Sequence, residues 1–317
     1  MLRSFLIYLS QATWARRLTT ALPFARRTAR RFVAGETIEA ALQAVGELNQ
    51  AGMLATLDLL GEHTHDSAAA NEARLQIQQL LTRLAQSGRR SNVSIKLTQI
   101  GLKLDEALCA QNLKAILDAA ATLGLFVRID MEESTCVDAT LRLYRQQRAA
   151  GYENVGVVIQ SALYRSEEDV LALLQEGARI RVVKGAYMEA PEVAYPIKQD
   201  VDAAYDRLAD LMLHASFTTL ERGKDGAWPP LAAIATHDGQ RIEFIKRHAI
   251  EIGLPKQNFE FQMLYGIRRE LQDQLVKEGY TVRIYVPFGR EWYPYFMRRL
   301  AERPANLWFF LSNLLRR

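Results

Sequence analysis

A chain of 317 residues that is 49% apolar has ample material for a buried core and too much apolar content for a disordered segment. Its formal charge of +4 comes from 40 basic and 36 acidic residues, and no apolar run approaches the roughly 20 residues that a bilayer span needs. Only Cys109 and Cys136 occur, with no CxxC spacing, which excludes a disulfide scaffold and suits a reducing compartment.

The charge is unevenly placed. Ahead of Glu36 stand seven arginines (Arg3, Arg16, Arg17, Arg26, Arg27, Arg30 and Arg31) and no acid, so the rest of the chain carries 33 basic against 36 acidic residues. Residues 1–35 therefore read as a basic amphipathic helical arm. It is either docked on the body with solvated arginines, laid on a membrane surface, or an organellar transit sequence. A nucleic-acid binder would spread its basic stripe over the folded body, so the charge gives that class little support.

After the arm, "GETIEAALQAVGELNQAG" predicts a helix: Thr37 caps it, Ile38, Leu42, Val45 and Leu48 recur at helical spacing, and Gly52 follows its end. Beyond it, strand-like runs alternate with amphipathic segments. The runs are 53–60, 93–98, 126–131, 155–160, 180–185, 231–236, 259–264 and 282–287. Each gap holds a helix-like segment such as "EDVLALLQEG", so consecutive strands pair in parallel through right-handed crossovers. Eight such units predict one α/β domain, residues 36–317, folded as a closed (β/α)8 barrel and not as an open doubly wound sheet. The final "NLWFFLSNLL" is expected to pack against that barrel.

Chemistry in such barrels sits at the C-terminal ends of the strands. Those ends carry Lys96, Asp130, Gln160, Arg181 with Lys184, Thr236 with His237, Gln262 and Tyr285. Taken singly, each also fits a satisfied structural group. His63 and His65 stand two residues apart with no third ligand nearby, a poor metal pair, and no metal is expected.

Following the eighth strand, "REWYPYFMRRLAE" predicts a helix from about Trp292, with Pro294 in its first turn, where a missing N–H costs little. Tyr295, Arg298, Arg299 and Glu302 fall on one stripe, with Phe296, Met297 and Leu300 turned the other way. Spacing leaves two readings open. The stripe is a solvated face with Arg298 and Glu302 paired, or it leans over the barrel mouth and offers two guanidinium forks to a carboxylate.

The wider stretch "YVPFGREWYPYFMRRLAERPAN" closely resembles the C-terminal motif of the proline dehydrogenase family, flavoenzymes built on a distorted (β/α)8 TIM-type barrel with N-terminal helices and a C-terminal helix. "VAGETIEAALQAV", "LDLLGE", "VSIKLTQIGL", "VRIDMEES", "VVIQSALYRSEEDV", "RIRVVKGAYMEAPEVAYP", "ATHD" and "FEFQMLYGIRR" resemble further family blocks in family order. The resemblance runs from about Arg31 nearly to the C-terminus and is greatest to the short monofunctional bacterial members. Phe288 departs from it, standing where many relatives have tyrosine.

The resemblance implies FAD-dependent oxidation of L-proline to Δ1-pyrroline-5-carboxylate, the first step of proline catabolism to glutamate. Hydride passes from the proline ring carbon to flavin N5, and electrons go on to a quinone-type acceptor. Carried over residue by residue, Lys96, Arg298 and Arg299 match the clamp on the substrate carboxylate, and Glu302 matches the residue that orients the arginines. Leu264, Tyr285 and Tyr295 match the wall around the proline ring. Asp130 matches the family's active-site aspartate, and Arg181 the arginine beside the reacting edge of the flavin. Met131, Gln160, Lys184, Gly185, Ala186, Thr236 and His237 match FAD contacts, with Lys184 placed to meet an anionic part of the cofactor. The expected location is cytoplasmic, peripheral on the inner face of the membrane through the arm, with no nucleic acid bound. Two other classes compete: an aldolase-type barrel with Lys96 or Lys184 as a Schiff-base lysine, and a membrane-surface or nucleic-acid module that uses the barrel as scaffold.

Overall fold

The computed structural model describes Ala29 and residues 31–302, apart from Glu62, His63, Thr219 and Lys224. Most of the arm, the "NLWFFLSNLL" segment and His63 of the histidine pair lie outside the described residues.

Eight strands form one closed barrel: β1 (Leu54–Leu59), β2 (Ser91–Ile95), β3 (Val127–Ile129), β4 (Val155–Gln160), β5 (Ile180–Val183), β6 (Ala232–Ala235), β7 (Phe259–Leu264) and β8 (Thr281–Phe288). Every pairing is parallel, and β1 closes the ring against β8 through Thr56 opposite Tyr285. Helix α1 (Ile38–Gln50) precedes β1 and begins at the Thr37 cap, whose hydroxyl accepts from Ala40 N–H at 3.2 Å. The strands are then followed in turn by α2 (Ser67–Ser87), α3 (Glu106–Thr122), α4 (Val137–Ala149), α5 (Ser166–Gln175), α6 (Lys198–Ala215), α7 (Gly239–Glu251), α8 (Arg269–Lys277) and α9 (Trp292–Glu302).

Five strands stop short of their predicted ends: β1 and β6 by one residue, β3 and β5 by two, and β2 by three. β2 ends at Ile95 because Gln99 N–H donates to Lys96 O (3.2 Å) and opens a 3-10 turn over Leu97–Ile100. β3 keeps only three residues, and the chain after Ile129 runs through an irregular stretch into a short 3-10 turn at Ser134–Cys136. Lys96 and Asp130 therefore sit just past their strands, at the rim.

Because helices cover the outside of the barrel, strand residues of both parities are buried. One parity, including Val157, Val182, Ile234 and Ile284, joins helix residues such as Leu113, Leu173, Leu208 and Ile245 in the main core. The other parity fills the barrel and is unusually polar. Arg283 and Glu260, both 0% exposed, form a two-pronged pair, with Nε to Oε1 at 2.8 Å and Nη2 to Oε2 at 3.1 Å, and Arg283 Nη1 also donates to Ala55 O at 3.0 Å. Arg128, equally buried, donates to Val157 O at 3.0 Å and to Arg179 O. Gly156 makes room for it, since a Cβ there would lie 2.6 Å from Arg128 Nη1.

Helix α9 belongs to a second cluster, separate from the main core. Phe32 and Val33 pack with Trp292, Tyr293, Tyr295, Phe296 and Met297, and the Phe32 and Phe296 rings lie 6.2 Å apart. Trp292 Nε1 donates to the Glu36 carboxylate at 3.3 Å. The segment leading into α1 thus forms the seat of the double-arginine helix.

The buried pair supplies a stability prediction. Burial raises the Glu260 carboxyl, but the charge and hydrogen bonds of Arg283 outweigh it and hold the group below its ordinary value. A depressed carboxylate stabilises the fold above its unfolded pKa of about 4.3 and loses that contribution as the pH falls through the native value. Arg283→Met strands the carboxylate and is expected to cost about 3–5 kcal/mol at pH 7 in urea unfolding. The deficit should narrow as the pH falls from 7, first because the stranded Glu260 of the variant takes up a proton and then, below about pH 4.3, because the wild-type contribution fades. A constant deficit across that range would contradict this account.

Candidate active site

A cavity of about 370 Å³ opens at the C-terminal ends of the strands. All of the polar strand-end residues picked out above line it: Lys96, Asp130, Gln160, Arg181, Lys184, Thr236, His237, Gln262 and Tyr285. Met131, Gly185, Ala186, Leu264, Tyr295, Arg298 and Arg299 line it as well, and the Glu302 side chain lies outside the described residues. The solvated-face reading of α9 is thereby set aside. Arg299 is only 8% exposed, its guanidinium carbon sits 5.1 Å from the Tyr295 ring centre, and Arg298 is half-buried.

Asp130 is the hub of the floor. Its Oδ1 accepts from Ser94 Oγ (2.7 Å) and Arg181 Nη1 (2.7 Å), and its Oδ2 accepts from Tyr285 OH (2.7 Å) and lies 3.6 Å from Lys96 Nζ. Burial works against ionisation here, yet Arg181 and Lys96, with the Ser94 and Tyr285 hydrogen bonds, hold the carboxyl below its ordinary range. Burial pushes the Tyr285 phenol well above its usual value, so its hydroxyl stays a donor to Asp130.

Lys96 also donates to Asp58 Oδ1 at 2.9 Å and to Tyr285 OH at 3.3 Å. Asp58 was not among the expected site residues. Burial raises its carboxyl, with Lys96 opposing. The signal was present in "LATLDL", where Asp58 shares the inward parity of Thr56, but a single acid inside an apolar run reads as an edge residue. Among the described side chains that line the cavity, Lys96, Arg181, Arg298 and Arg299 face two carboxylates, Asp58 and Asp130. Lys184 lines the wall with its ammonium held by Asp202 and Asp238 (2.7 Å).

His237 has a structural task as well as a place on the wall. Its Nε2 accepts from Leu264 N–H at 3.0 Å, joining the ends of β6 and β7, so a neutral ring carries its proton on Nδ1. Gly185, at φ +118°, gives the wall its closest backbone approach; a Cβ there would stand 3.2 Å from both Gln160 Oε1 and Ala162 Cβ.

A closed parallel barrel with a cation-rich cavity at its C-terminal strand ends defines a (β/α)8-barrel enzyme whose site suits a small organic anion. The sequence profile of the proline dehydrogenase family matches residues 41–311, and the chain belongs to that family. It is 41% identical to Proline dehydrogenase 1 of Bacillus subtilis over the whole of both chains. To the Proline dehydrogenase of Deinococcus radiodurans it is 44% identical over 292 residues, 91% of this chain and 90% of that one. Among solved structures, the proline utilization A protein of Bdellovibrio bacteriovorus, inactivated by N-propargylglycine, matches 88% of this chain and 33% of its own with a TM-score of 0.78 at 26% identity.

Family membership implies a flavin, and the residues present fit one. Met131, Val158, Val183, Ala186, Ala235 and Met263 supply apolar walls of the kind a planar ring system needs. Arg181 Nε and Nη2 are buried and meet no acceptor among the described residues, which leaves two fixed donors for the polar edge of such a ring.

The α9 seat gives the second prediction. Phe32→Ala is expected to raise KM for proline about tenfold or more while kcat changes less, because it loosens the helix that carries Arg298 and Arg299 without touching the floor around Asp130. Steady-state kinetics on a variant that still binds flavin decides it, and an unchanged KM would remove Phe32 from this role.

Proposed function

We propose that this proline dehydrogenase uses FAD to oxidise L-proline to Δ1-pyrroline-5-carboxylate within a catalytic barrel of residues 36–317, and that electrons then leave to a quinone-type acceptor. The observation that carries the reading is that Arg298 and Arg299 stand side by side on α9 in the lining of the same cavity as Lys96, Asp130, Arg181 and Tyr285.

The bound flavin supplies the hydride acceptor, N5. The chain supplies position and field. Arg298 and Arg299, with Lys96 beneath them, hold the substrate carboxylate, where charge-assisted pairs contribute about 1.5–3 kcal/mol each. Leu264, Tyr285 and Tyr295 wall the ring and exclude water, and Glu302 orients the arginines. Asp130 keeps Arg181 and Tyr285 in place, and Arg181 acts as a fixed cation that favours the uptake of negative charge beside it. Met131, Gln160, Gly185, Ala186, Thr236 and His237 hold FAD, with His237 Nδ1–H as a donor. Lys184, positioned by Asp202 and Asp238, meets an anionic part of FAD. A Schiff-base reading loses its ground, because both candidate lysines have their ammonium groups tied to carboxylates and do not lie bare in an apolar pocket.

No helix among the described residues is long and apolar enough to cross a membrane. The arm of residues 1–35, with seven arginines and no acid, is suited to an anionic lipid surface, which would keep a cytoplasmic enzyme peripheral on the inner face, near its acceptor.

The purified protein should show flavin absorption bands that bleach on anaerobic addition of L-proline; no flavin bands, or bands indifferent to proline, would overturn the reading. Arg298→Met and Arg299→Met should each raise KM for proline roughly 10- to 100-fold while the oxidised flavin spectrum persists. For the arm, co-sedimentation with anionic vesicles at low salt should retain the full chain and lose most of a variant lacking residues 1–30, since each basic residue contributes about 1 kcal/mol near such a surface. Equal retention would exclude docking through the arm.

A further inference from the structure

Away from the mouth, α6 and α7 bring three donor side chains together on the outer ring. Asp210 and His214 stand four residues apart on one face of α6, and His248 projects from the last turn of α7. One ligand atom from each lies within 4.8 Å of the other two. Asp210 Oδ1 is 3.3 Å from His214 Nδ1 and touches His248 Nε2, and the two imidazole centres are 5.5 Å apart.

A chain of hydrogen bonds between the acid and the two rings is the plain account, and two observations go beyond it. His248 turns Nδ1 towards the Glu251 carboxylate at 3.5 Å and stacks on Phe244 with ring centres 5.8 Å apart, while its buried Nε2 touches Asp210 without hydrogen-bond geometry. An imidazole oriented by a carboxylate on one nitrogen and presenting the other is the arrangement that prepares a histidine to bind a metal. His214 Nδ1 lies 3.0 Å from the Asp210 backbone oxygen; donation there leaves the lone pair of a neutral ring on Nε2.

We propose that Asp210, His214 and His248 form a site for one divalent transition metal of the Zn²⁺ class. Two imidazoles and a carboxylate suit Zn²⁺, Cu²⁺ or Ni²⁺ and not the oxygen-seeking Mg²⁺ or Ca²⁺. Three protein ligands leave room for water, and the side chains of His214 (55% exposed) and Asp210 (39%) leave the outer side open to it. The ligands lie near the C-terminal ends of both helices, on the stability face of the barrel, remote from the strand ends where the cavity opens. The metal therefore clips α6 to α7. Those helices also carry, near their N-terminal ends, the Asp202 and Asp238 carboxylates that grip Lys184. His214 and His248 are 34 positions apart in sequence, so the unfolded chain binds the ion poorly and the metal stabilises the native state.

The test uses the full-length flavin-loaded enzyme stripped with a chelator and then dialysed. Equilibration with Zn²⁺ is expected to leave one ion per chain and to raise Tm by roughly 3–8 °C, with proline oxidation unchanged. His214→Asn, at an exposed position that folding tolerates, should keep the metal-free Tm and lose the Zn²⁺ shift, and His248→Gln should lose it too. The proposal is overturned if Zn²⁺ leaves the wild-type Tm unmoved, if His214→Asn keeps the shift, or if Mg²⁺ matches Zn²⁺.

Discussion

The site is organised by one buried carboxylate. Asp130 gathers donors from β2, β5 and β8 through Ser94, Arg181 and Tyr285, so three strands report to two oxygens. Taking a carboxylate out of water is costly, and only a nearly complete shell of donors offsets it. Completing that shell orders the floor: the Arg181 guanidinium loses its rotational freedom, the Tyr285 hydroxyl is aimed, and Lys96 is drawn towards Asp58. Lys96 and Arg181 are held by the floor carboxylates, and Arg298 and Arg299 of α9 line the same cavity at its rim.

The same logic extends down the barrel. Where many barrels fill their interior with branched aliphatic side chains, this one places Arg128, Glu260, Gln262 and Arg283 there, with Thr56, Asn92 and Ser94. Arg283 and Gln262 donate to Glu260, and Arg128 donates to Val157 O, whereas the Thr56 hydroxyl and the Asn92 amide meet no partner among the described residues. Such a filling gives up some transfer free energy and gains directional constraints that fix strand register around the ring.

How much of this was legible in the sequence depended on what each residue needed. The eight strands were readable because alternation with amphipathic helices is a property of local composition, and the residues at their C-terminal ends were polar and ionisable with unusual regularity. The positions of Lys96 and Asp130 are legible but the ends of their strands are not, since nothing local announces the 3-10 turn that begins at Leu97. Asp58, Arg128, Glu260 and Arg283 escaped notice for a different reason. Both faces of a barrel strand are buried, so alternation cannot say which parity looks inward, and a polar residue inside reads like one at the surface. The partners of Lys184 are not legible, because Asp202 and Asp238 lie 18 and 54 positions away and only the fold brings them to it. The double arginine was ambiguous in spacing alone; the resemblance of the whole stretch resolved it, and the helix borders the cavity accordingly.

The small aromatic cluster under α9 sets a division of labour in cohesion. A barrel closed by continuous strand pairing opens only when much of its hydrogen-bonded ring is given up, whereas a roof that rests on Phe32, Val33, Trp292 and Phe296 can part from it in a sub-global step of lower free energy. Such a step would break none of the hydrogen bonds that Ser94, Arg181 and Tyr285 make to Asp130.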